Sequence, residues 1–204
     1  DYIAYEELLE SSNPSKENHL TSISQQTRQG VCKQLWFNNK DPIFCQIKSE
    51  DSELSFYFED NQIKVVEKMG VVHCIVQEER FYLLPDGREA IQQEDGRLLL
   101  RHASPDDPAS WVDPSTPELT PMQLIRYIQA DKATYNYASQ LFVAEDVKLW
   151  KYKLEGHEPP SALEQTDFLM SGTARSVEFA FKGEKFDLQA HSLKATFDPE
   201  REML

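Results

Sequence analysis

The segment ATYNYASQLFVAEDVKLW, residues 133–150, alternates two residue types almost letter by letter. One row consists of Ala133, Tyr135 and Tyr137 and, after a predicted turn at residues 138–140, Leu141 and Val143. Successive side chains of a β-strand point to opposite faces of a sheet, so a row of this kind predicts a hairpin with one buried face and one solvated face.

The same pattern occurs twice more in the chain. LSFYFEDNQIKV carries Leu54, Phe56, Phe58 and then, after a turn at 59–62, Ile63 and Val65. VEFAFKGEKFDL carries Val177, Phe179, Phe181 and then, after a turn near 182–185, Phe186 and Leu188. Each unit continues into a further strand-like segment, GVVHCIV, DVKLWKY or HSLKATF. A single hairpin cannot bury its apolar row, so the units are expected to stack or to face one another. An ordinary β-sandwich with similar hairpins would show the same pattern.

The remaining sequence is typical of an antiparallel all-β domain at residues 31–204. KQLWFNN and IFCQIKS are strand candidates, and two Asp-Gly turns, at 85–87 and 94–96, predict three consecutive antiparallel strands. Residues 103–121 hold five prolines and predict a loop or an insertion. TPMQLIRYI is also compatible with a short helix capped by Thr120. Residues 1–30 are a polar lead-in, with one short helix expected to end near Ser11.

The charge of the chain limits its partners. The net charge is −14 and the pI is about 4.8, so the chain repels phosphate backbones and is not expected to bind nucleic acid. Arg101, Lys148, Lys151 and Lys153 are candidates for local positive charge, although lysines on the wet face of a strand usually serve only solvation. No run approaches the roughly 20 apolar residues of a membrane-spanning helix.

Motifs of catalysis are missing from the sequence. It contains no GxSxG, no HExxH, no phosphate-binding glycine loop and no dinucleotide fingerprint, and its five histidines lack ligand-like spacing. We therefore expect no enzymatic activity, no cofactor and no metal. The three cysteines, Cys32, Cys45 and Cys74, form no CxxC pair; they are either three buried thiols or one disulfide with a free thiol.

The segment IQADKATYNYASQLFVAEDVKLW resembles the repeat of the OstA/LptA-type lipopolysaccharide-transport proteins. That repeat runs I-x-A-D-x-x-x-Y, a turn, then x-A-x-x-x-V, and its positions are occupied here by Ile128, Ala130, Asp131, Tyr135, Ala144 and Val147. SGTARSVEFAFKGEKFDLQAHSLKATF is similar to a second copy, with Ala174 and Phe179 at the small and aromatic positions. SELSFYFEDNQIKVVEKMGVVHCIVQEERFY resembles a third, degenerate copy. The long proline-rich excursion, the acidity and the three cysteines depart from the family pattern.

The resemblance implies an antiparallel β-jellyroll shaped like a folded taco, located in the periplasm once an N-terminal signal or anchor has been removed. Its interior would shield the acyl chains of lipopolysaccharide during transport to the outer membrane. The candidate lipid-binding residues are Leu54, Phe56, Phe58, Tyr135, Tyr137, Val143, Val177, Phe179 and Phe181. Whether these rows line an open trough or form a closed core stays open at this point.

The resemblance also implies protein partners. Its end strands would pair with other jellyroll domains of a transport bridge by edge-strand addition, or with further copies of the chain head to tail. The C-terminal strand candidate, Ser192 to Phe197, is the expected free edge. An alternative reading is a non-catalytic acidic β-rich scaffold that binds only protein.

Overall fold

The computed structural model describes residues 23–27, 31–36, 43–163, 167–182 and 185–197, and the side chains of residues 43–56, 60–163, 167–180 and 188–196. The N-terminal helix predicted to end near Ser11 lies outside the described residues.

Fourteen strands are described, and all belong to one antiparallel sheet. They are β1 Ile23–Thr27, β2 Val31–Trp36, β3 Phe44–Ser49, β4 Ser52–Glu59, β5 Gln62–Met69, β6 Val72–Leu83, β7 Glu89–Gln92, β8 Leu98–Leu100, β9 Trp111–Val112, β10 Thr120–Asn136, β11 Leu141–Glu155, β12 Met170–Lys182, β13 Lys185–His191 and β14 Lys194–Phe197. A short 3-10 helix, Pro108–Ser110, precedes β9. The predicted all-β antiparallel fold is confirmed, and β1 lies within the segment predicted as a polar lead-in.

Several of these strands are halves of longer strands that bend. β3 pairs with β6 and β4 pairs with β5 in one continuous register, so residues 44–59 and 62–77 form a single bent hairpin. β13 and β14 likewise pair with β12 in one register. The further strand that follows each hairpin in the sequence is therefore the second half of the same bent strand.

The bends lie on one line across the sheet. Along each bent strand the residues of one buried face recur at every second position, except at one step where the spacing is three. The steps are Ser49 to Ser52, Met69 to Val72, Ala130 to Ala133, Ala144 to Val147 and Ala174 to Val177. The pairing brings these steps side by side in the sheet. Because two residues, and not one, lie inside each step, the inward-facing positions switch between odd and even residue numbers there. The same face of the sheet therefore stays buried on both sides of the bend.

Small side chains occupy most of the positions that flank the bend. Ala130, Ala133, Ala144 and Ala174 are all buried there. Small residues at these positions leave room for the two halves of the sheet to approach each other. Asp146, inside the step of β11, has a φ of 54°, which a non-glycine residue adopts only under local constraint.

The sheet folds over itself around one apolar core. The inner face is defined as the face that carries this core: Cys45, Ile47, Met69, Val72, Cys74, Val76, Ile128, Ala130, Ala133, Phe142, Ala144, Val147, Leu149, Ala174, Val177 and Phe179. Every one of these residues lies on a strand, from both sides of the bend. Because strands alone supply this core among the described residues, we attribute its burial to the sheet turning its inner face onto itself.

The hairpin turns lie close to their predicted positions. Asp60 and Asn61 both have positive φ and connect the pair Glu59 and Gln62, as a two-residue hairpin turn requires. Gly87 and Gly96, each with a φ of 85°, close the two predicted Asp-Gly turns. Lys182 pairs with Lys185, which confirms the last hairpin.

The turn between β10 and β11 differs from the prediction. Asn136 pairs with Leu141, so the loop comprises the four residues 137–140 instead of three. The side chain of Asn136 accepts hydrogen bonds from the backbone N–H groups of Ala138 and Ser139, and Gln140 has a φ of 54°. These side-chain hydrogen bonds favour the longer loop.

The segment TPMQLIRYI forms the first half of strand β10, so the helical reading was wrong. The segment pairs with β6 on one side and with β11 on the other, and this pairing supplies its backbone hydrogen bonds. This tertiary pairing overrides the capping signal of Thr120 and Pro121. Among the described residues, no helix is long and apolar enough to cross a membrane.

Candidate functional site

The inner face is the candidate site, and it contains two kinds of residue. Its centre is closed: Phe142 and Phe179 are 0% exposed and stack with ring centroids 5.3 Å apart. Around that centre lie half-buried apolar residues that pack against the core and still reach solvent: Tyr135, Met170 and Leu188. An amphiphile bound from outside would first meet this rim.

The structure places the nine predicted lipid-binding residues in three groups. Buried residues on the inner face are Phe56, Val177 and Phe179. Half-buried residues are Leu54, Tyr135, Tyr137 and Val143. Phe58 pairs with Ile63 and Phe181 with Phe186, but their side chains lie outside the described residues.

Val143 is a correction to the predicted row. Ala133 pairs with Ala144 and Tyr135 with Phe142, so the even-numbered residues of β11 share the face of the odd-numbered residues of β10. Val143 pairs with Thr134 and lies on the opposite face. The additional residue in the 137–140 loop causes the change, because a shift of one residue moves every side chain to the other face.

Two tyrosines and a glutamate form the polar edge of the rim. Tyr135 and Tyr137 contact edge to face, with ring centroids 4.8 Å apart. The Tyr137 hydroxyl donates a hydrogen bond of 2.7 Å to the carboxylate of Glu67, which is buried. The hydrogen bond compensates part of the cost of burying that carboxylate.

The opposite face of β6, β10 and β11 is covered by a loop. Its apolar cluster consists of Ile75, Ile125, Tyr127, Trp150 and Tyr152, and Leu163 and Phe168 pack against it. Tyr127 stacks on Trp150 at 5.4 Å and makes a 2.6 Å hydrogen bond with Nδ1 of His73. This second cluster is closed by the segment that leads from β11 to β12.

Two buried glutamines attach that loop to the sheet. Nε2 of Gln77 donates to Oε1 of Gln123 at 2.7 Å and to the carbonyl of His157 at 2.8 Å. Nε2 of Gln123 donates to the carbonyl of Glu158 at 2.8 Å. Because buried amides are costly without partners, this network holds the loop in place.

The inner face ends in charged residues, which we call the charged band: Glu78, Glu79, Glu89, Arg101, Arg126, Lys151 and Lys153. Glu89 binds Arg101 at 2.5 Å and Lys153 at 2.7 Å, and Arg101 binds Glu79 at 2.8 Å. Burial alone would raise the pKa of Glu89, but hydrogen bonding to Lys153 and the charges of Arg101 and Lys153 lower it below its usual value. Glu89 therefore stays ionised within the band.

Three of the four cations singled out from the sequence belong to this band. Lys148 does not: it is exposed, and it lies on the other face because it pairs with Gln129. Arg126 was missed by the sequence analysis. The signal was present, since Arg126 lies two residues before Ile128 of the inner-face row and therefore on the same face.

Comparison of the sequence with protein-family models and with curated proteins, and of the fold with solved structures, gave no match. The fold and the site thus define a class only, an antiparallel protein with one folded sheet and an apolar inner face.

Proposed function

We propose that this domain shields the acyl chains of lipopolysaccharide during transport between two membranes. The observation that carries the proposal is the folded sheet, whose long strands bend on one line so that a continuous apolar face is turned inward. The resemblance of residues 128–150 to the OstA/LptA-type repeat supports the choice of ligand. A periplasmic location belongs to the same proposal.

The energetics of acyl chains explain why such a face is needed. Each methylene group withdrawn from water contributes about 0.8 kcal/mol, so exposing a chain of about a dozen carbons costs on the order of 10 kcal/mol. The rim residues Tyr135, Met170 and Leu188 offer apolar surface that is already next to the core. A chain that inserts between the two halves of the sheet would extend this contact inward.

The charge of the chain shapes the proposed mode of binding. A protein of net charge −14 repels the phosphates of lipopolysaccharide at long range. Long-range charge therefore opposes binding, and the free energy of association in this proposal comes mainly from the acyl chains, with the saccharide left in solvent.

A photo-crosslinking experiment tests the proposal. The crosslinking amino acid p-benzoylphenylalanine at Tyr135 or Leu188 is expected to capture lipopolysaccharide, because both side chains lie on the inner face and are half-buried. The same probe at the neighbouring positions Thr134 and Gln189, which are exposed and point to the other face, is expected to capture none.

Two outcomes would contradict the proposal: equal capture at the inner-face and opposite-face positions, or no capture at any position. The second outcome favours the alternative of a protein-binding scaffold, in which the fully buried Phe142 and Phe179 would belong to an ordinary closed core.

Assembly by strand addition is the second part of the proposal. Among the described strands, β1, β2, β9, β13 and β14 each pair with one neighbour only, so the sheet is not closed. β14 is held tightly on its paired side: a Cβ on Gly172 would lie 2.6 Å from the carbonyl oxygen of Lys194. Its other side is the edge on which we expect a neighbouring domain to pair.

Proline substitutions test the edge. Backbone N–H groups of successive residues in a strand point in opposite directions, so either Lys194→Pro or Ala195→Pro removes an outward donor. We expect one of the two variants to weaken concentration-dependent self-association by about tenfold or more while it retains the β-sheet circular dichroism spectrum. Sedimentation velocity measures the association. A wild-type chain that stays monomeric at high concentration, or two variants that associate like wild type, would refute strand addition at β14.

A further inference from the structure

We infer that the charged band binds the anionic, phosphate-type headgroup of the amphiphile whose chains the folded sheet shields. The inference rests on the proposed function and adds a second recognition element to it. Four observations carry it: the position of the band, its local charge, an unsatisfied donor and a bulge in the sheet.

The band continues the inner face directly. Arg126 lies two residues before Ile128, Lys151 two residues after Leu149, and Glu78 two residues after Val76. Residues two apart on a strand share a face, so the apolar core and the band adjoin along three neighbouring strands. A bound amphiphile would therefore meet apolar and charged surface in the order of its own chains and headgroup.

The local charge of the band differs from that of the chain. Within the described residues of the band, four cations face three carboxylates, which leaves one positive charge in a protein of net charge −14. These side chains are 18–32% exposed, so the band is desolvated in part and open to a ligand. In such an environment a charge interacts more strongly than in bulk water.

The part of the band best suited to bind an anion is the pair Arg126 and Lys151. They lie directly opposite each other on β10 and β11, an arrangement that costs free energy unless an anion neutralises it. Among the described residues, Glu78 is the carboxylate that contacts both, at 2.6 Å and 3.8 Å. Nε of Arg126 is buried and is the one buried side-chain polar atom without a hydrogen-bond partner among the described residues. Because Nε has no accessible surface here, a phosphate oxygen could reach it only once the guanidinium turns away from Glu78; arginine then presents a fork of N–H groups that matches phosphate.

Glu78 owes its position to an irregularity of the sheet. The register of β6 with β10 shifts between Leu124, which pairs with Glu79, and Ile125, which pairs with Gln77. Glu78 is the additional residue of this bulge, and bulges commonly redirect a side chain next to a functional site. In the absence of ligand, Glu78 holds the two cations; a headgroup would compete with it for them.

Binding of two detergents with the same chain tests the inference. Dodecyl phosphate and dodecyl maltoside, each below its critical micelle concentration, are titrated into the full chain by isothermal calorimetry. We expect the phosphate to bind about tenfold more tightly, and the double variant Arg126→Gln/Lys151→Gln to lose that advantage while its affinity for the maltoside is unchanged. Glu78→Gln is expected to increase the affinity for dodecyl phosphate several-fold, whereas a purely structural ion pair would give no increase.

The controls separate the two proposals. Arg88→Gln/Lys132→Gln removes the same charge at exposed cations outside the band and is expected to leave both affinities unchanged. Lys151→Gln alone repeats the test without altering the half-buried Arg126. If both detergents bind equally well to wild type, or if the control double variant loses as much as the band variant, the headgroup site is refuted and the proposed shielding of chains stands. If neither detergent binds, the proposed function fails with it.

Discussion

Phe179→Ala is expected to lower the free energy of unfolding by about 3–5 kcal/mol. Phe179 is fully buried, stacks on Phe142 from the neighbouring strand and belongs to the core that joins both halves of the sheet. Removing its ring leaves a cavity in the place where the two halves meet, and a sheet held by pairing on both sides has little freedom to fill it. Urea denaturation, with the unfolding slope unchanged, measures the effect.

Two control variants show whether the loss of stability is specific to the closed centre of the inner face. Glu178→Ala, at the next residue and on the other face, removes only an exposed contact with His191 and is expected to change stability by less than about 0.5 kcal/mol. Leu188→Ala, on the rim of the same face, is expected to cost less than Phe179→Ala because its side chain is already partly exposed. If Phe179→Ala costs no more than Leu188→Ala, the centre of the inner face is loosely packed and does not act as a closed core.

The second large effect is expected at alkaline pH. Cys45 and Cys74 are free thiols on the inner face, each 0% exposed, and burial raises the pKa of Cys45 from 9.0 to about 12. Burial, followed by the nearby Cys45, raises the pKa of Cys74 well above its usual value. The folded state keeps these protons while the unfolded state releases them, so stability is full below about pH 9 and falls as the pH rises through the folded pKa.

The cost from Cys45 alone is expected to reach about 3 kcal/mol by pH 11. The measurement compares urea denaturation at pH 8 and pH 11 for Cys32→Ser and for Cys32→Ser/Cys45→Ala, since the side chain of Cys32 lies outside the described residues. The second variant is expected to lose about 3 kcal/mol less over this interval. Alkylation gives an independent readout: both buried thiols are expected to resist iodoacetamide at pH 8.5 until the chain unfolds. Rapid labelling of the folded chain would show that the core opens readily to solvent.

The sequence was sufficient for the fold class and for most of the hairpins. Leu54 and Phe56 of β4 share a face with Val65 of β5, and Val177 and Phe179 of β12 share one with Leu188 of β13, as their spacing indicates. Both predictions rest on local chemistry, because alternation and turn residues act over a few positions. The Asp-Gly turns hold for the same reason, since each needs only a glycine at positive φ.

The predictions failed at two places in β10 and β11, one for a local reason and one for a tertiary reason. The 137–140 loop takes its length from the hydrogen bonds of Asn136, and that single residue moved Val143 to the other face. Residues 120–128 were compatible with a helix until pairing with β6 and β11 determined a strand. A capping signal is worth about 1 kcal/mol, which two flanking strands readily exceed.

The sequence also contains a pattern that marks the bend, but a search for simple alternation does not detect it. The segments ADKA at 130–133, AEDV at 144–147 and ARSV at 174–177 each place two polar residues between a small residue and an apolar one. At these points the period changes from two to three and back again. Such a step in one strand predicts only a local irregularity, and it becomes a bend when several strands carry it at the same level of the sheet.

By itself, then, the sequence determined an antiparallel β protein, its hairpin rows and the positions of most of its turns, because these depend on side-chain alternation and on backbone preferences of neighbouring residues. Only the tertiary structure decided that the rows fold onto one another along a common line, which of them form a closed centre and which form a rim, and that Arg126 and Lys151 meet at Glu78. These features depend on register between strands that are far apart in the chain. One additional residue in a loop or a bulge shifts that register by one position. The residue types of a single strand do not determine whether such a shift occurs.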